Sequence, residues 1–104
     1  DYVLVHAGLN LNRANPMSDL DAMLWQRYWY DDLTPEAIDW LGTRTIVHGH
    51  TPIPRSEIEF SLSPDWKLPV INIDAGCYKK DVDKGCLCAL NLDDNTAIFM
   101  DRLD

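Results

Sequence analysis

Three apolar runs of this chain each end in a polar residue with glycine close by: Val5-His6-Ala7-Gly8, Val47-His48-Gly49-His50-Thr51-Pro52 and Ile73-Asp74-Ala75-Gly76. All three histidines lie at these ends. In α/β sheets, ligands gather at the carboxyl ends of the strands, where side chains leave the core and glycine lets the backbone turn sharply. Neutral imidazole is the commonest metal ligand, and two strand ends in one sheet can aim at one ion. On residue types and spacing alone two readings stay open. The histidines either share a metal ion or are hydrogen-bonded parts of the fold.

The cysteines offer less. Cys77, Cys86 and Cys88 are an odd number and too few for a disulfide framework, which points to a reducing compartment such as the cytoplasm. Cys86 and Cys88 share one strand face and could clamp a soft metal, but no second pair supplies further ligands, so they read as core thiols. None of the three sits in a convincing nucleophile–base arrangement.

The elements that must position these residues are legible in outline. Residues 2–5 are apolar on both alternating faces, as in a strand covered on both sides. Residues 10–16 are polar and turn-rich. Ser18-Asp19 offers an N-cap to a helix over 20–28, with Leu20, Met23, Leu24 and Arg27 at helical spacing. Thr34-Pro35-Glu36 starts a second helix that Gly42 stops. Strands are expected over 43–47, 55–60 and 70–73, a surface loop over 61–69, and a hairpin pairing 85–92 with 96–100. Trp25, Tyr28, Trp29 and Tyr30 crowd one segment, as either a substrate wall or core and cap residues.

The 104 residues, 46% of them hydrophobic, suit one domain with its own core and show no internal repeat. A net charge of −8 disfavours a nucleic-acid polymer as partner, because phosphate backbones select clustered Lys and Arg. The same charge tolerates a phosphate site if bound cations supply the positive charge. No apolar stretch approaches the roughly 20 residues of a membrane-spanning helix, so no membrane partner is expected. The opening residues already read as a strand, which suggests a piece of a longer protein.

Taken in order, Val5-His6-Ala7-Gly8-Leu9, Leu24-Trp25-Gln26-Arg27, Gly49-His50-Thr51-Pro52 and Asn72-Ile73-Asp74-Ala75-Gly76 resemble consecutive C-terminal motifs of the phosphoprotein-phosphatase branch of calcineurin-like metallophosphoesterases. That branch includes bacterial serine/threonine phosphatases and symmetrical diadenosine tetraphosphate hydrolases. The resemblance covers nearly the whole chain. It implies that residues 1–104 are the C-terminal half of a calcineurin-like α/β/β/α sandwich, with mixed sheets and two short helices. It implies a hydrolase acting on a phosphorylated protein or nucleotide with two divalent ions drawn from Mn, Fe, Zn, Ni or Co.

Residue by residue, the resemblance casts His6 and His50 as ligands of the second metal and Arg27 as a substrate-phosphate contact; a guanidinium suits that role because its planar fork donates to two oxygens at once. His48 and Asp74 become supporting residues that do not touch the metal. The family's upstream Asp-x-His, Gly-Asp-x-x-Asp-Arg-Gly and Gly-Asn-His-Glu segments are absent, and with them the bridging carboxylate and the histidine proton donor. The chain is therefore expected to need an N-terminal half as partner and to be inactive alone. A dinucleoside polyphosphate hydrolase, or a non-catalytic interaction module that retains the fold, are the competing expectations.

Overall fold

The computed structural model describes every residue except Asp32, Asp81, Val82 and Asp104. Its first strand, β1 (Tyr2–Leu4), is followed by a 3-10 turn (Pro16–Ser18), helices α1 (Leu20–Trp25) and α2 (Pro35–Leu41), and strand β2 (Thr45–His48). Helix α3 (Arg55–Ser61), strand β3 (Val70–Asn72) and the strands β4 (Cys86–Asn91) and β5 (Thr96–Asp101) complete the order. The result is an α/β fold with two sheets. One is parallel, in the order β1-β2-β3, and the other is the antiparallel β4–β5 hairpin.

Local chemistry explains most boundaries. Thr34 accepts from the Ala37 amide and Pro35 supplies a pre-set φ in the first turn, so α2 starts where capping dictates. It stops at Gly42, whose φ of 63° suits a residue without a Cβ. Asp19 caps α1 by accepting from the Ala22 amide at 3.1 Å, while its other oxygen takes hydrogen bonds from Asn10 and Arg13.

These contacts hold the Asp19 carboxyl below its ordinary pKa, the Asn10 hydrogen bond contributing most and the Ala22 amide next. A carboxyl with a depressed folded-state pKa binds its proton more readily unfolded, so its stabilisation is present above the unfolded value and lost as pH falls through the folded one. Asp19→Asn keeps an acceptor at the cap but no charge. Wild type should therefore be the more stable of the two at neutral pH, with thermal midpoints that converge as the pH drops below about 4. A gap that stays constant across this range would remove Asp19 from the acid response.

Three expectations need correction. The helix expected over 20–28 ends at Trp25, because Gln26 leaves helical geometry with ψ 135° and Tyr28 takes φ 54°. The turn carries Trp29 back beneath Gly8, where its indole N–H donates to the Ala7 carbonyl at 3.0 Å. Burial of one large ring, 7% exposed, thus overrides continuation of the helix, and Arg27 falls outside it.

The second correction is the segment 55–60, expected as a strand, which is helix α3. Arg55 and Glu59 pair at i,i+4, Glu57 sits in the first turn, and Ile58 buries its side chain between them in sequence. A short apolar alternation concealed that spacing. The third follows from it: the described residues contain three α-helices, not two.

Along the parallel sheet, Val3, Ile46 and Val70 lie in register on one face and join Leu9, Trp29 and Leu41 in the main core. A second cluster of Ile58, Ala75 and Cys86 packs α3 against the hairpin, with Cys88 and Phe99 beside it. Cys86 and Cys88 are free thiols on this inward face, as their expected core role requires, and burial pushes the Cys88 thiol pKa up. The hairpin tip reaches the parallel sheet at Tyr2. Its hydroxyl stands 3.0 Å from the Leu92 carbonyl and 2.7 Å from Asn95 Oδ1. Among the described residues, no helix is long and apolar enough to cross a membrane.

Candidate metal-ligand pair at the strand ends

The parallel ladder continues beyond the regular strands and ends in the histidines. Val5 N–H donates to Val47 O, Gly49 N–H to His6 O at 2.8 Å, and Ile73 N–H to His48 O at 2.9 Å. The Gly49–His6 bond locks the backbone of one histidine turn against the other. It places His6 Nε2 3.2 Å from His50 Nδ1, with ring centroids 5.0 Å apart.

That spacing suits a shared ion. With metal–nitrogen bonds of about 2.1 Å, two nitrogens 3.2 Å apart subtend roughly 100° at an equidistant ion, between octahedral and tetrahedral angles. The donor set of two imidazoles is what borderline ions such as Zn, Ni or Co accept. Among the described residues no cluster of three or more His, Cys, Asp or Glu forms a complete cation site, so other donors would have to finish the shell.

His50 has φ 70°, a left-handed conformation uncommon outside glycine that Asn, Asp and His adopt more readily than other residues. Its neighbours hold it there. Asn72 Nδ2 donates to Thr51 O at 2.8 Å, and the Ile53 amide donates to Asp74 O at 2.9 Å, tying the Gly49–Pro52 turn to the end of β3. The Trp25 ring meets His50 edge-on at 5.8 Å. This contact was hidden in the sequence, where Trp25 was one of four clustered aromatics; its position just before the helix break is the signal that could have marked it. Trp29 proves to be core, whereas Trp25 is 68% and Tyr28 74% exposed.

His48 plays another part. It is 4% exposed, packed against the rings of Trp29 and Tyr30 at 5.2 and 5.5 Å. Its Nδ1 lies 3.1 Å from the Gly49 carbonyl, to which a ring N–H there donates, and its Nε2 is buried without a hydrogen-bond partner among the described residues. Burial holds its pKa below the ordinary histidine value, against the opposing pull of the Gly49 and Ala7 carbonyls and Asp74. A neutral, caged imidazole supports the Gly49 turn from within.

The Asp74 carboxylate accepts from the Gly76 amide at 2.9 Å, and the Asp74 amide donates to Asn72 Oδ1 at 2.8 Å, two successive Asx-type turns. Its Cβ would lie 3.5 Å from a Cβ built on Gly49, so the two turns approach closely. Arg27 is exposed, makes no ion pair among the described residues, and no contact joins it to His6 or His50. The structure brings His6, His48, His50 and Asp74 to one sheet end, and Arg27 lies in the exposed turn after Trp25, whose ring meets His50.

Leu4, Val5, His6, Val47, His48, Gly49 and Ile73 line an open cleft of about 480 Å³ that takes in His6 of the pair. No protein-family profile, curated protein or solved structure matches the chain significantly.

Proposed function

We propose that this chain supplies part of the active site of a metal-dependent phosphoesterase of the calcineurin-like, phosphoprotein-phosphatase type. One observation carries the reading. Two imidazoles from adjacent parallel strand ends converge to 3.2 Å, at the two positions where the ordered motifs call for ligands of one ion.

In this reading His6 Nε2 and His50 Nδ1 offer lone pairs to a shared ion, and water or carboxylates from an N-terminal half complete the shell. The chemistry a bound divalent pair would supply is polarisation of phosphoryl oxygens and a lowered pKa of a bound water. Asp74 and His48 hold the turns on which the ligands ride. Arg27, free to extend from its exposed turn, donates to substrate phosphate oxygens. Phosphoprotein is the substrate class favoured, with dinucleoside polyphosphate as the alternative.

The convergence of only two ligands favours one rival, a non-catalytic module that retains the fold. A metal titration separates them. Zn or Co added to the chain should shift the NMR signals of His6 and His50 together and spare those of His48, whose Nδ1 is engaged and whose Nε2 is enclosed by aromatic rings. His6→Ala should abolish the response of His50 as well. Independent behaviour of the two rings, or no response from either, would favour the structural role.

A further inference from the structure

On the core side of the sheet lies a second and more enclosed hollow of about 190 Å³. Three aromatic rings contribute to its lining, from three different parts of the chain: Tyr30 from the turn after α1, Phe60 from α3, and Trp66 from the loop that leads to β3. Glu57, one turn before Phe60 on α3, adds a carboxylate, and none of the described lining residues is Lys or Arg.

Apart from the Tyr30 hydroxyl and the Glu57 carboxylate, the polar groups of the walls are already engaged. Phe60 and Trp66 meet edge-to-face at 6.0 Å, and Tyr30 is braced edge-on by Trp29 and His48. The Trp66 indole N–H donates to Val70 O, the Ser61 hydroxyl to Ile58 O, and Asn72 uses its amide on Thr51 O and its carbonyl on the Asp74 amide. A ligand that needs several hydrogen bonds finds these groups engaged. Aromatic faces beside a carboxylate instead attract a cation through the ring quadrupoles, most strongly when the cation is itself poorly hydrated. Burial first, and then the charges of Asp31 and Glu57, push the Tyr30 hydroxyl pKa up, so the ring stays neutral.

We propose that the Tyr30–Phe60–Trp66 hollow, with Glu57 at its side, is a binding site for an alkylated ammonium group. A quaternary ammonium presents positive charge on methyl groups, asks for no hydrogen bonds and fits a small aromatic hollow, which are the properties these walls select. The chain's net charge of −8 adds a long-range attraction for such a cation. None of its lining residues is a member of the histidine pair.

Choline and tetramethylammonium chloride, titrated into the chain, should move the indole N–H signal of Trp66 saturably. The neutral isostere 3,3-dimethylbutan-1-ol should bind at least about fivefold more weakly. Glu57 is exposed on its helix, so Glu57→Gln should fold normally and weaken the cations by a similar factor while leaving the neutral alcohol unchanged. A peptide carrying trimethyllysine distinguishes the source of the ammonium: tighter binding of the peptide assigns the site to a modified protein side chain, tighter binding of choline to a free small molecule, and both keep the site. No saturable shift of Trp66, or equal binding of choline and the neutral alcohol, would overturn the proposal.

Discussion

Replacing Gly8 by alanine should destabilise the chain by about 3 kcal/mol and lower its thermal midpoint by roughly 10–20 °C. A Cβ at position 8 would lie 2.2 Å from Cδ1 and Nε1 of Trp29, far inside contact distance. Such a clash is cheap only if the ring can step aside. Trp29 is instead pinned through its N–H on the Ala7 carbonyl and through edge contacts with Tyr30 and His48. Any shift of the indole leaves a buried N–H unpaired or opens a void in the main core. Thermal or urea unfolding of Gly8→Ala beside wild type measures the cost. A companion Gly8→Ala/Trp29→Phe variant should lose less than the sum of the single changes, because the smaller ring relieves the clash. A loss under about 1 kcal/mol for Gly8→Ala alone would mean that the glycine is not required by this packing.

His50→Asn should reduce phosphoester hydrolysis at least about 100-fold in the protein assembled with its remaining ligands. Removing only a ligand's supporting partner typically costs about 10–100-fold in metal affinity or activity, and the ligand itself should cost no less. Asparagine is the informative replacement. It tolerates the left-handed backbone of position 50, where φ is 70°, so the change deletes the imidazole without adding the strain that alanine would. Metal content should fall with activity. Arg27→Ala provides the contrast, because a phosphate contact should weaken substrate use while metal content stays intact. Retained metal and retained hydrolysis in His50→Asn would remove His50 from the ligand set.

What the sequence disclosed depended on how local the cause was. Helix α2 could be read from Thr34, Pro35 and Gly42 because capping and chain termination act within a few residues. The hairpin followed from two apolar runs around Asp93-Asp94-Asn95 in the same way. The end of α1 was hidden because its cause is the seat of Trp29 beneath Gly8, a contact between residues 21 apart in sequence and so close that a Cβ on Gly8 would overlap the ring. Helix α3 was misread since Ile58 and Phe60 mimic strand alternation, while the Arg55–Glu59 pair that favours a helix is only evident at a spacing of four. At the strand ends, glycine-flanked histidines marked the place. The separation of the pair depends on the Gly49–His6 backbone bond, which a linear reading does not contain.

The contact between Tyr2 and the hairpin tip bears on the order of events in time. It joins residues 90 apart, and closing a flexible loop of that length costs roughly 4 kcal/mol of chain entropy. A single hydrogen bond returns only about 1 kcal/mol, so this clasp cannot form until Ile58, Cys86 and Phe99 have already brought the hairpin home. The hairpin itself closes within microseconds, from neighbours in sequence. Assembly therefore runs from a fast local ribbon, through its docking on α3, to a late latch at Tyr2. Thermal opening retraces that path from the latch backwards, so the first excursion from the native state frees the hairpin tip while the histidine turns, bound to each other through the ladder, stay closed.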